Sequence, residues 1–265
     1  MSTKVRGIAA LVVGCGLPFL AGGLPAGAEA EAETETEAVV LRPGDRGESV
    51  RTLQKQLHHR GYYYGKINGV YDDQTRFAVW ALQKNRGMTP RGEVGAEIWK
   101  ALDRPARARP LVPNGGADRV EIDLRDQLLT VYRHRRPVLI SHISSGAEVR
   151  YCHNGHCGNA ITPVGDFRVA RRAPGWTTGR LGSMFNSLYF VGGIAMHGST
   201  KVPLHPASHG CVRLPMTVSK RLFEIVDIGD PVYVRGAYKP PRNIHKKHSG
   251  NRGRGNSPGS DSRAR

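Results

Sequence analysis

Acidic side chains are scarce. Asp and Glu number 22 against 39 Lys and Arg among 265 residues, a formal net charge of +17. That imbalance favours an anionic partner: nucleic acid, a membrane surface or an anionic wall polymer. No recognisable nucleic-acid-binding motif is present and much of the excess charge sits in the last thirty or so residues, which argues against nucleic acid. Cysteine is rare as well, with only four, at Cys15, Cys152, Cys157 and Cys211. Long apolar runs are confined to Ile8–Leu24. The hydrophobic fraction of 39% is low but adequate for packed cores, because both ends read as non-globular.

The N-terminus sets the compartment. Lys4 and Arg6 precede the apolar run, and Ala26-Gly27-Ala28 and Ala30 follow it, the layout of a secretory signal peptide over residues 1–30. Gly14, Gly16, Pro18 and Gly22-Gly23 make the run a poor spanning helix. Val12-Val13-Gly14-Cys15 has the outline of a lipidation site, but the apolar run continues past Cys15, where a lipoprotein turns polar. Loss of Cys15 with the signal leaves an odd count. In an oxidising compartment Cys152 and Cys157 can pair across a short loop, so that Cys211 remains a free thiol.

Residues 31–39 alternate acidic and small residues and read as a solvated linker. From 40 to 103 the pattern becomes helical, and a small all-α three-helix bundle is expected. Asp45 and Glu48 can form a capping box ahead of Val50, Leu53 and Leu57. Asp73 can cap a second helix bearing Phe77, Trp80 and Leu82, and a third runs from about Gly95 to Leu102. The stretch Gly44-Asp45…Gly47…Val50…Leu53-Gln54…Leu57…Gly61-Tyr62, continued by Ile67-Asn68-Gly69-Val70-Tyr71, Gln83, Gly87 and Trp99, resembles the peptidoglycan-binding domain of the PG_binding_1 type. It departs from that pattern at Leu82, where Phe is usual, and at Arg91, where Asp is common.

A Pro-, Arg- and Gly-rich linker covers 104–117, and a mainly β domain spans 118–235. Val120, Ile122 and Leu124 alternate, as do Leu129 with Val131 and Val138 with Ile140. The expectation is a mostly antiparallel sheet with one buried face, sandwich-like or closed. Val191 to Met196 reads as one buried strand. Thr217 can cap a last helix, ended by Gly229, before a strand at Pro231–Val234. Residues 236–265 are basic and almost free of apolar side chains, a tail suited to anionic wall polymers.

The chemistry gathers at the end of that apolar strand. His197-Gly198 is followed, after a loop, by Ser208-His209-Gly210-Cys211-Val212-Arg213. A cysteine nucleophile needs a base, because only the thiolate is competent, and a strand end followed by a loop can bring an imidazole to a thiol. These two blocks resemble the signature of the L,D-transpeptidase (YkuD-like) catalytic domain, with a somewhat shorter loop between them. Thr162-Pro163-Val164-Gly165-Asp166-Phe167 is similar to a segment that recurs in the same family.

The resemblance implies an exported bacterial enzyme that acts on peptidoglycan stem peptides, with no cofactor and no metal. Cys211 would form a thioester with release of D-Ala, and a 3→3 cross-link would follow. His197 would serve as the base, and the backbone N–H groups of His209, Gly210 and Cys211 as an oxyanion hole. Ser208 and His209 would shape the loop, with His209 the rival base, and Arg213 would hold a substrate carboxylate or brace the loop. An L,D-carboxypeptidase would use the same residues. A wall-binding protein with a spent site, and a cysteine peptidase of another fold, are the readings from other classes. Cys152-His153-Asn154-Gly155-His156-Cys157 admits a disulfide or a cramped zinc site, and the tight spacing favours the disulfide. The protein is expected to be a wall-associated monomer.

Overall fold

The computed structural model describes residues 39–105, 109–153 and 155–239, and these belong to one compact unit. The expected signal peptide and nearly all of the acidic linker and basic tail lie outside the described residues. No described helix is long and apolar enough to cross a membrane.

Three helices come first: α1 (Glu48–His59), α2 (Asp73–Asn85) and α3 (Ala96–Leu102). Val50, Leu53 and Leu57 share the buried face of α1, as their spacing requires. The expected capping box does not form. Asp45 accepts a bond from the Arg42 N–H (2.7 Å) in the preceding turn, and Gly47, at φ +125°, takes the cap position. In α2 the capping residue is Asp72, one earlier than expected, with its carboxylate on the Thr75 N–H at 2.9 Å. Gln54 decides between the two aspartates: its buried amide bonds Val70 O and Thr75 Oγ1, which fixes Thr75 as the third residue of the helix.

The β-rich part contains β1 (Arg119–Asp123), β2 (Leu128–Arg133), β3 (Arg136–His142), β4 (Arg150–His153), β5 (His156–Asn159), β6 (Gly165–Arg168), β7 (Arg171–Gly179), β8 (Gly182–Val191), β9 (Ile194–Gly198), β10 (Val212–Leu214) and β11 (Pro231–Arg235). Helix α4 (Met216–Ile225) follows β10. One sheet has the order β3-β2-β1-β11-β6, a second β10-β9-β8-β7, and β4-β5 is a separate hairpin. Their facing apolar side chains, among them Val120, Val131, Leu188, Met196, Val212 and Val234, form one core with α4. The arrangement is an open two-layer sandwich, and the closed sheet considered from the sequence does not occur. Two isolated bridges, Ser144 to Arg213 and Gly146 to Ser208, join the segment after β3 to β10 and the loop ahead of it.

The expectation of one buried face fails at β2 and β3 for a physical reason. Leu129, Val131 and Leu139 face the sandwich core, whereas Leu128 and Ile140 enter the core of the helices. The helices therefore close their core on the sheet and do not form a self-contained bundle. A register shift after Val131 turns Val138 outward, where it is 39% exposed.

Two further expectations are corrected at the C-terminal half. The run Val191–Met196 is a hairpin, because Gly192-Gly193 makes a two-residue turn that pairs Val191 with Ile194. Helix α4 begins at Met216 after Pro215, and it ends at Ile225 because Val226 turns into the core in an extended conformation. The Thr217 hydroxyl does not cap it; it donates to Gln74 Oε1 on α2 at 2.7 Å.

Candidate active site

The parallel register of β9 and β10 sets the site. Val212 pairs with Met196, Arg213 with His197 and Leu214 with Gly198. Val212, Leu214 and Met196 point into the core, so period-two alternation sends Cys211, Arg213 and His197 to the other face. Cys211 and His197 thus become diagonal neighbours on one face, fourteen residues apart in sequence.

His197 is buried, and its Nδ1 lies 2.9 Å from the Gly198 carbonyl oxygen. A carbonyl only accepts, so Nδ1 carries the proton in this bond and Nε2 is left with a lone pair. Burial pulls the imidazole below its ordinary pKa, with the Gly198 bond opposing and the Arg213 charge reinforcing. The Cys211 thiol is partly buried and free. Burial raises its pKa, while the Ala195 N–H and the Arg213 charge draw it back. The sulfur sits 3.5 Å from Ala195 N, 3.8 Å from Gly193 O and 3.9 Å from Met184 Sδ. Among the described residues no hydrogen bond joins the thiol to His197. Burial thus favours the neutral form of both groups.

The loop ahead of the cysteine is tied by its own side chains. Ser208 Oγ donates to the Cys211 carbonyl at 2.5 Å and accepts from the Gly210 N–H at 3.0 Å. The Gly210 N–H is therefore engaged, which leaves the His209 and Cys211 amides as the remaining donors of the expected oxyanion hole. Gly210 sits at φ +130°, and a Cβ there would lie 2.9 Å from the Ile161 carbonyl oxygen, so only glycine fits. His209 leans its ring on Tyr151 of the β4-β5 hairpin, edge-on at 4.6 Å, with His153 at 6.3 Å. Cys152 and Cys157 form a disulfide across that hairpin, so neither sulfur is open to a metal. No cluster of three or more His, Cys, Asp or Glu among the described residues could hold one.

Residues 117–234 match the YkuD family, the L,D-transpeptidase catalytic domain, and residues 46–102 match the PG_binding_1 family, a peptidoglycan binding domain. An L,D-transpeptidase structure from Xylanimonas cellulosilytica is 38% identical with a TM-score of 0.67, and the match covers 74% of this chain and 97% of that one. The chain belongs to the L,D-transpeptidase family. It is also similar over shorter stretches to spore cortex-lytic enzymes. That of Bacillus cereus is 31% identical over 77 residues, 29% of this chain and 30% of that one. That of Bacillus subtilis is 41% identical over 64 residues, 24% of this chain and 21% of that one. The chain thus spans less than a third of the length of these curated relatives.

This L,D-transpeptidase family member uses supports that its motifs did not announce. Buried Thr162 accepts from the Gly146 N–H at 2.9 Å and donates to the Gly210 carbonyl at 2.7 Å. Ser145 O receives the amides of both Ala207 and Ser208 at 2.9 Å, and Gln127 in turn bonds Ser145. Thr162 lay in a family-like segment, a signal that something there was fixed. Gln127 carried no signal, since it stands beside Arg125 and Asp126 in a polar stretch between two strands. The His205 carbonyl accepts from Ser144 Oγ at 2.8 Å.

Proposed function

We propose that this protein is an exported peptidoglycan L,D-transpeptidase that forms 3→3 cross-links through a thioester on Cys211. The observation that carries the reading is the His197 ring, held by the Gly198 carbonyl so that Nε2 is a free base on the same sheet face as the only free thiol among the described residues. Nε2 takes the Cys211 proton as the sulfur attacks the carbonyl carbon between the third stem residue, a diamino acid, and the terminal D-Ala. The C–N bond breaks, the proton passes to the departing amine, and D-Ala leaves. A side-chain amine of a second stem then attacks the thioester, gives its proton to His197 and releases the thiol. The backbone carbonyl takes the place that a carboxylate holds in other triads, fixing tautomer and ring orientation without adding charge. Arg213, in register with His197, adds positive potential where the oxyanion and the substrate carboxylate gather. The peptidoglycan-binding domain supports a wall location, as does the signal-like N-terminus.

The test is incubation of the mature protein with a disaccharide-tetrapeptide, with products read by mass spectrometry beside Cys211→Ala. A cross-linked dimer with loss of D-Ala, absent from the variant, is expected. A tripeptide as sole product would make the protein a carboxypeptidase, and no turnover would overturn the reading.

A further inference from the structure

The loop from Ser199 to Ala207 joins the two halves of the site, and it is anchored on the segment that leaves β3. His142 binds the Val202 carbonyl (Nε2 to O, 3.0 Å), Ser144 binds the His205 carbonyl, and the Ser145 carbonyl takes the Ala207 and Ser208 amides. The first anchor has an unusual dependence. Because Val202 O only accepts, Nε2 of His142 must carry the proton, and Nδ1 then needs a donor in a site where the ring is 0% exposed. That donor is the amine of Lys84, 2.8 Å away, and Lys84 belongs to α2 of the peptidoglycan-binding domain. The same amine reaches the Gln127 carbonyl at 3.2 Å, and the Gln127 amide holds Ser145 N and Oγ. Phe77 and Trp80 of α2 wall the His142 ring at 5.9 and 5.3 Å.

We propose that Lys84 and His142 are positioning residues for the catalytic loop, so that the peptidoglycan-binding domain serves as a structural member of the active site as well as a binding module. One amine supports both ends of the loop: through His142 to Val202, and through Gln127 and Ser145 to Ala207 and Ser208. Beyond the motif, Gln74 of the same helix accepts from Thr217 at the start of α4. Helix α2 therefore touches the chain before and after Ser208–Arg213. Burial lowers the Lys84 pKa to about 7, yet the amine donates whether charged or neutral, so the tie holds across that range. The catalytic meaning rests on the proposed thioester reaction; the mechanical tie does not.

The experiment compares the full mature protein with Lys84→Met, which keeps the apolar stem and loses the donor, and with Lys84→Arg, which restores one. His142→Phe, which keeps a ring but loses both the acceptor for Lys84 and the donor to Val202, guards against a Lys84 variant that fails to fold. Three quantities are read: hydrogen exchange of the Ala207 and Ser208 amides, the iodoacetamide rate of Cys211, and kcat and KM on the disaccharide-tetrapeptide. Lys84→Met is expected to speed exchange at those amides at least tenfold with α1 unchanged, to alter the alkylation rate several-fold, and to lower kcat about tenfold with KM held within twofold. Lys84→Arg should recover most of each. Wild-type exchange, alkylation and kcat in a folded Lys84→Met or His142→Phe protein would overturn the proposal. Changed exchange and alkylation in a protein whose wild type does not turn over the tetrapeptide would uphold the tie and overturn the reaction.

Discussion

Replacement of Thr162 by Val isolates the support beneath the cysteine loop. The two side chains are nearly the same size, and Thr162 is 4% exposed, so the change leaves packing intact and removes one hydroxyl. That hydroxyl satisfies two buried backbone groups, the Gly146 N–H and the Gly210 carbonyl, at 2.9 and 2.7 Å. Each orphaned buried polar group costs about 1–3 kcal/mol, so the pair should cost roughly 2–4 kcal/mol once the loop relaxes. For a protein of this size that corresponds to a fall in Tm of about 4–16 °C. Urea titration measures the stability and iodoacetamide kinetics report the thiol. Thr162→Ser, which keeps the hydroxyl, should recover most of both. A Val variant within about 0.5 kcal/mol of wild type, with an unchanged alkylation rate, would show that the Gly210 peptide is held by other means.

Three other perturbations follow the same logic. Gly210→Ala places a side chain at φ +130° and against the Ile161 carbonyl, so it should lose about 1–3 kcal/mol in a denaturant melt and most of its activity, where a silent substitution would mean that the loop is more pliant than its geometry. Cys152→Ser with Cys157→Ser removes a short closed loop worth about 2 kcal/mol, felt chiefly as faster hydrogen exchange across β4 and β5; unchanged exchange would mean that the Tyr151–His209 contact alone holds the hairpin. His142 has its pKa lowered by burial to about 3, so an unfolded chain binds a proton that the folded one refuses between that value and about 6.5. Its contribution is present above about pH 6.5 and is lost as pH falls toward 3, with a slope of up to roughly 1 kcal/mol per pH unit. Tm measured across pH 4–7 should show that slope in wild type and lose much of it in His142→Phe; equal slopes would remove His142 from the account.

What could be read from the sequence was what alternation and short motifs encode. The three N-terminal helices, the alternation of Val120 with Ile122, and the pairing of a His-Gly block with a Ser-His-Gly-Cys block are all local patterns. Residues that depend on a tertiary neighbour were out of reach. Leu128 and Ile140 look like ordinary strand positions, and nothing local reveals that helices cover them. Gly192-Gly193 was read through because its flanks are apolar, although two glycines in succession suit a hairpin turn. Asp72 and Asp73 were separable only through Gln54, which reaches the neighbouring Val70 and Thr75 from another helix. Gln127 looked solvent-facing in a polar turn, yet it is 1% exposed and carries the Ser145 bonds.

The electrostatics of Cys211 bear on how an unpaired thiol could serve in the oxidising space that the proposed export implies. An attacking cysteine with a depressed pKa would be thiolate at rest and would be oxidised along with exposed thiols of that kind. Here burial favours the neutral form of both partners, thiol and imidazole. In the proposed reaction, nucleophile and base would then be formed in one step, when a carbonyl arrives to receive the sulfur and Nε2 takes the proton. Arg213 opposes the burial of the thiol and also discourages protonation of His197, so it favours the thiolate while hindering the imidazolium. A substrate carboxylate seated on Arg213 in that proposed reaction would offset both effects together, so the proton transfer would be driven by the attack of the sulfur itself.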